Sequence, residues 1–166
     1  MRASWIRWTV MSLFISMRLV AQDTSRVALV IGLHGPGVLL PISSTTAFRL
    51  DGSVSRSGTS DVHVWNEGLG MSALFYLQRW DALRTFIGPR VSYSVLSGTG
   101  TTKTWSGQVF FGTEYALGRR FGVFGELGLS YARTTGTRVG IAGESIPVVP
   151  STFWFTTSGV GLLFRL

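Results

Sequence analysis

The sequence predicts an all-β fold, a closed up-and-down antiparallel transmembrane β-barrel of eight strands. First, apolar and polar residues alternate with a period of two in six separate segments. Second, no apolar run after residue 21 approaches the ~20 residues that a membrane-spanning helix needs. Third, only 14% of the 166 residues are charged while 21 are glycine, a combination unusual for a water-soluble globular protein.

Residues 1–21 are predicted to be a signal peptide that is removed on export, and residues 22–166 are predicted to form the barrel. Arg2 and Arg7 precede the apolar stretch 8–17, and a cleavage site follows Ala21. This stretch is too short to cross a bilayer as a helix. An uncleaved anchor is the alternative. Either way, the pattern directs the chain to the cell envelope.

Six strands are predicted from the alternation of side chains. In the first strand, Phe48, Leu50 and Val54 share one face, whereas Arg49 and Asp51 lie on the other. This repeat is typical of a strand with one apolar face and one polar face. The six predicted segments are residues 47–56, 65–77, 84–96, 104–117, 121–132 and 154–166.

Two more strands are expected between Thr24 and Pro41, because bacterial membrane barrels usually close with an even number of strands, from eight upward. The candidates are "RVALVIGL" and "GVLLPI", hinged at "HGPG", and a single long strand is the alternative. The connections alternate between short turns and the longer Gly/Ser/Thr-rich segments "SGTSD", "SGTGTTK" and "RTTGTRVGIAGESIPVVP". Short turns at one end and long loops at the other are typical of a meander across a membrane.

The polar faces of these strands are expected to point into the barrel. In hydrocarbon, unpaired backbone groups are costly, so a spanning sheet must close and turn its apolar face to lipid. The lumen of an eight-stranded barrel is narrow enough to be filled by its own side chains. Hydrated charges near the barrel mouths are the alternative to the hydrogen-bonded ionic network that we predict. The predicted network that plugs the lumen consists of Arg49, Asp51, Arg90, Glu114 and Glu126.

Aromatic residues are expected in two bands at the membrane interfaces. The loop-side band comprises Trp65, Tyr93, Trp105, Tyr131 and Trp154, and the turn-side band comprises Phe75, Trp80, Tyr115 and Phe121. Four basic residues on the loop side are candidate contacts for lipopolysaccharide phosphates, because guanidinium and ammonium groups bind phosphate. Solvated loop charge is the alternative for these four residues, Arg56, Lys103, Arg133 and Arg138.

Catalytic, cofactor and metal chemistry find little support in the sequence. There is no cysteine, and His34 and His63 lack metal-ligand spacing. His63 lies near Ser60, but no third group to orient the imidazole is evident. Without residues 1–21, 12 basic and 8 acidic residues leave a net charge of +4, too small to indicate nucleic acid. We therefore predict a non-enzymatic protein; a narrow pore, a lipid A-modifying enzyme and a soluble ligand-binding barrel are the alternatives.

The segment "GVGLLFRL", in which Gly161 is followed by Phe164 and Leu166 in alternating phase, completes a pattern that covers the whole exported chain. The chain resembles the small eight-stranded outer-membrane β-barrel families, which include OmpA-like, OmpX/Ail-like and opacity-type proteins. The resemblance implies a monomer in the bacterial outer membrane, surrounded by lipid and lipopolysaccharide, with a structural or surface-contact role through its loops. It also implies that the C-terminal strand is the recognition signal for the barrel assembly machinery.

Overall fold

The computed structural model describes residues 27–58, 63–80, 82–98, 100–139 and 144–166. Eight strands form a closed barrel in which every strand pairs antiparallel with its neighbours in sequence and β1 pairs with β8. The signal peptide predicted for residues 1–21 lies outside the described residues. Within them, no helix is long and apolar enough to cross a membrane. The strands are β1 (Ala28–Gly32), β2 (Gly35–Pro41), β3 (Thr46–Gly58), β4 (His63–Trp80), β5 (Leu83–Ser97), β6 (Gly100–Ala116), β7 (Phe121–Val139) and β8 (Ser145–Arg165).

The prediction of eight strands is confirmed, including the N-terminal hairpin, so the alternative of one long strand before residue 41 is wrong. The two longest predicted loops, however, are largely strand. β6 begins at Gly100, β7 continues to Val139 and β8 begins at Ser145. The added parts of β6 and β7 are rich in Gly, Ser and Thr, and the added part of β8 carries Ile146 and Val148 on either side of Pro147, so none of them shows the long apolar alternation of the other segments.

The strands are tilted steeply against the barrel axis. Gly37 can be traced to β8 in both directions around the barrel by moving from each residue to its pairing partner on the next strand. The path through β3, β4, β5, β6 and β7 ends at Phe153, whereas the path through Val30 of β1 ends at Leu163. The mismatch of ten residues, about 33 Å along a strand, is spread over a circumference of eight strands, about 38 Å. The resulting tilt is about 40°, within the usual range for membrane barrels.

Both described chain ends lie at the same end of the barrel. The backbone N–H of Leu166 donates to the carbonyl of Val27 at 2.9 Å, beside the turns 42–45, 81–82 and 117–120. The opposite end carries the connections at 33–34, 59–62, 98–99 and 140–144. We call these the turn end and the loop end.

The β1–β2 hairpin is much shorter than the rest of the wall. β1 has five residues and β2 has seven, whereas β7 has 19 and β8 has 21. The hairpin reverses at Gly35, whose φ of 94° favours glycine and whose Cα packs beside the carbonyl of Gly52 in β3. Among the described residues, only β3–β8 continue toward the loop end above this reversal.

Candidate functional site

Four charged side chains form a compact ionic layer across the lumen. Arg49 donates from both terminal nitrogens to Glu126, one of the bonds measuring 3.2 Å, and Arg90 donates in the same two-pronged manner to Asp51. The Arg49 Nε lies 3.8 Å from the Asp51 carboxylate, which links the two pairs. The Ser72 hydroxyl accepts from both guanidinium groups at 3.4 and 3.3 Å. All five side chains are buried, so the layer blocks the lumen.

Glu114, the fifth residue of the predicted set, is also buried in the lumen but lies outside this layer. Its carboxylate accepts from Arg165 and, at 3.2 Å, from the Tyr76 hydroxyl, nearer the turn end. Arg165 was not predicted as a lumen residue. Its position two residues beyond Leu163, in the inward phase of β8, is the sequence signal that could have identified it.

An apolar cluster fills the lumen on the turn-end side of the ionic layer, so the interior is not solely polar. Phe86 and Phe110 pack edge to face with ring centroids 6.1 Å apart, and the Arg49 guanidinium lies 5.4 Å from the Phe110 centroid. The strand faces that were predicted to be polar therefore also carry apolar residues that point into the lumen. The buried members of this cluster are Ala28, Val30, Leu39, Ala47, Leu74, Phe86, Phe110, Phe124 and Leu163.

Two glycines make room for the rings of this cluster. A Cβ at Gly112 would collide with the Phe86 ring, and a Cβ at Gly161 would collide with the Phe124 ring. Gly161 is also one of the three residues of the predicted assembly signal. Its contact with the Phe124 ring gives it a packing role in addition. Phe164 packs on the outer wall against Phe121, with ring centroids 5.0 Å apart, and Leu166 is exposed.

Uncharged hydrogen-bonding groups occupy the lumen on the loop-end side of the ionic layer. The Gln108 amide donates to the Thr157 hydroxyl at 2.5 Å, and the hydroxyls of Ser92 and Ser106 are 2.6 Å apart. Further out, Thr104 and Thr134 are 3.0 Å apart. On β3–β6, the following inward residues on the loop-end side of the ionic layer are uncharged: Ser53, Ser55, Ser57, Asn66, Gly68, Ser92, Ser94, Thr102, Thr104 and Ser106. We call this region the vestibule.

Three of the four candidate lipopolysaccharide contacts are exposed near the loop end. Arg56 lies 5.4 Å from the ring centroid of Trp65, its cross-strand partner. Lys103 and Arg133 lie on neighbouring strands, and Arg133 pairs across from Trp105. Arg138 pairs through its backbone with Gly100 and Ile146.

An apolar groove on the outer wall leads toward these cations. It has a volume of about 490 Å³ and ends at Tyr93 and Trp105, whose ring centroids are 4.5 Å apart. Lys103 is the next outward residue beyond Trp105 on β6.

The remaining sequence candidates concern the two histidines. No group of three or more His, Asp or Glu side chains that could hold a metal ion occurs in the described parts of the chain. His63 opens β4 beside the loop, and Ser60 lies outside the described residues.

The outer wall carries two aromatic bands at a constant separation. Trp105 and Tyr115 on β6, Tyr131 and Phe121 on β7, and Trp154 and Phe164 on β8 are each ten residues apart. At a tilt of about 40°, ten residues span about 25 Å along the barrel axis, the height of the apolar band of outer-membrane barrels.

The wall between the bands exposes large apolar side chains, among them Val109, Phe111, Leu127, Leu129 and Leu162, whereas the charges of the ionic layer are buried inside. These features define a small β-barrel of the integral-membrane class, with its apolar outer wall facing lipid.

Comparisons with known proteins add distant likenesses. No protein-family model matches the chain, and no curated protein sequence is significantly similar to it. Among solved structures, it is similar to Acinetobacter baumannii CarO, with 13% identity, coverage of 85% of this chain and 97% of that chain, and a TM-score of 0.43. It is also similar to Acinetobacter baumannii CarO2, with 12% identity, coverage of 86% and 98%, and a TM-score of 0.38. Both likenesses are too distant to carry an argument about function.

Proposed function

We propose that this protein is a non-enzymatic integral protein of the bacterial outer membrane, with a structural or surface-contact role through its loop end. The observation that carries the proposal is the pair of aromatic bands about 25 Å apart on β6, β7 and β8. The band of aromatic side chains at each interface and the apolar wall between them fit a membrane-spanning barrel. The predicted signal peptide supports export to the envelope.

The plugged lumen favours this role over that of a pore. The ionic layer and the apolar cluster lie one above the other, so a solute would have to break both to pass along the axis. Breaking buried charge pairs leaves unpaired ions in a medium of low dielectric constant, which costs several kcal/mol.

Lipopolysaccharide and the barrel assembly machinery are the partners that we propose. Arg56, Lys103 and Arg133 lie near the loop-side aromatic band, where the phosphates of an outer leaflet would be. Gly161, Phe164 and Leu166 are proposed as the assembly signal on β8. The protein is proposed to act as a monomer.

Electrophoresis and planar-bilayer recording test the proposal on the exported chain. We expect the purified, folded protein to require detergent, to migrate faster on SDS gels before boiling than after it, and to give no steady conductance. The matched control is the Arg49→Ala/Arg90→Ala double variant, in which the ionic layer loses both cations and channel noise is expected to rise. Steady openings of the unmodified protein would contradict the plugged lumen, and detergent-independent solubility would contradict the membrane assignment.

A further inference from the structure

The short β1–β2 hairpin leaves a gap in the wall between β3 and β8. Described pairing of β8 with β1 stops at Leu162, and that of β3 with β2 stops at Asp51. Leu33, in the reversal of the hairpin, packs beside Gly159, so the free edge of β8 begins at about Ser158. From Ser158 to Trp154 this edge rises about 10 Å along the barrel axis, within the height of the aromatic bands. We call this gap the lateral notch.

Lipid alone cannot cover such an edge. The backbone groups of an open strand edge have no hydrogen-bonding partner in hydrocarbon, and irregular or open backbone at membrane depth is tolerated only where it lines a water-filled cavity or is buried in protein. The outward residues here are polar, Thr156 and Ser158, in a wall that is otherwise apolar at this height. The edge therefore has the polar composition of the rim of a water-filled opening.

Two phenylalanines on the inner side of β8 distinguish this opening from the rest of the lumen. Phe153 and Phe155 are 46% and 39% exposed, whereas the inward-facing Phe86 and Phe110 are 1% and 2% exposed. The rings of Phe153 and Phe155 lie with centroids 5.5 Å apart and an interplanar angle of 34°. They form an apolar surface that is only partly covered by the described residues.

The inward side chains of β3 on the opposite side of the notch, and those of the vestibule behind it named above, are neutral hydrogen-bonding groups, whereas Arg56 of β3 lies on the outer face beside Trp65. Ser53 and Ser55 of β3 are exposed although they are in the inward phase, and Gln108, Thr157 and Ser130 lie behind them. The charges of Arg49 and Arg90 are neutralised by their own carboxylates in the layer below. The chemistry of the notch thus combines an apolar surface with uncharged donors and acceptors.

We infer that the lateral notch is a binding site for an uncharged amphiphile that enters from the outer leaflet. Its apolar part lies against Phe153 and Phe155, and its hydroxyl or carbonyl groups bind the serines, threonines and Gln108 of the vestibule. The ionic layer forms the floor and prevents passage along the axis. This inference rests on the proposed membrane barrel, and it adds a ligand class to it.

Photo-labelling in nanodiscs of zwitterionic phosphatidylcholine tests the inference. The probe is a monoacylglycerol with a diazirine in its chain, and the fatty acid with the same chain is the charged comparison. We expect the monoacylglycerol to label inward residues of segment 153–157 at least fivefold more than the fatty acid does. The Phe153→Ala/Phe155→Ala variant is expected to lose this labelling at least fivefold, whereas Phe111→Ala, a lipid-facing control of similar exposure, is expected to retain it.

Three outcomes would overturn the site. Equal labelling of outward residues around the whole belt would indicate annular lipid only. Equal labelling by the fatty acid would remove the preference for uncharged ligands. Cross-linking of segment 153–157 to a second copy would show that the edge is a protein interface instead. A heat-modifiable band in the same sample establishes that the membrane barrel itself is intact, so failure of the site is separable from failure of the proposed function.

Discussion

The two halves of the barrel differ in wall and in filling. On the turn-end side the wall has eight strands, and a close-packed apolar cluster lies beneath an ionic layer with matched charges. On the loop-end side the described wall has six strands, and neutral side chains line a vestibule that opens at the lateral notch. Because close packing and paired charges are concentrated in the turn-end half, we expect that half to supply most of the stability of the barrel.

Removing one charge from the ionic layer should have the largest effect. Asp51→Ala leaves Arg90 buried with only the Ser72 hydroxyl as a partner, and we expect a loss of about 3–5 kcal/mol in the free energy of unfolding. Urea unfolding in lipid vesicles measures it. Ser55→Ala, in the vestibule, should change it by less than about 0.5 kcal/mol. The double variant Asp51→Leu/Arg90→Met should recover most of the loss, and a double variant as unstable as Asp51→Ala would contradict the unpaired charge as the cause.

Truncating a phenylalanine should also lower the free energy of unfolding much more in the turn-end half than in the loop-end half. Phe86→Ala creates a cavity in the apolar cluster and is expected to cost about 3–5 kcal/mol. Phe155→Ala removes a half-exposed ring that no neighbour encloses, so we expect a cost of less than about 1 kcal/mol. The same unfolding titration compares the two variants. Similar losses would show that the vestibule is packed as tightly as the cluster.

Placing an arginine on the outer wall should give the smallest of the three contrasts. Leu127→Arg lies near mid-height on the lipid face and should cost about 2–4 kcal/mol, because a charge there is far from either interface. Thr156→Arg lies beside the lateral notch and should cost no more than about 1 kcal/mol. Folding yield and unfolding free energy in vesicles provide the measurement. An equal penalty at both positions would indicate that lipid, not water, surrounds the β8 edge.

The sequence predicted the fold well because the membrane imposes a two-residue period on every spanning segment. The inward position of Arg49, Asp51, Arg90 and Glu126 follows from that period, since they alternate with lipid-facing apolar residues. Which of these side chains form ion pairs with each other depends on the offset between neighbouring strands, and the alternation of side chains does not determine that offset.

The apolar cluster and the lateral notch were not predictable in the same way. Phe86, Phe110 and Phe124 each adjoin an apolar outward residue, so hydrophobicity alone does not reveal that they point inward. The strand extensions toward the loop end are rich in Gly, Ser, Thr and Pro and show no long apolar alternation, so the sequence indicates loops there. The height at which the β1–β2 hairpin reverses depends on its pairing with Leu162 and Asp51, which only the structure reveals.

The pairing of β1 with β8 joins opposite ends of the described chain, whereas the other seven pairings join consecutive strands. Each hairpin closes a short loop, whereas this seam closes a loop that spans the whole barrel and carries the largest entropic cost. Until the seam forms, the partly folded sheet keeps two free edges that could pair with other chains. Closure of the seam is therefore the step that protects the folding chain from edge-to-edge aggregation.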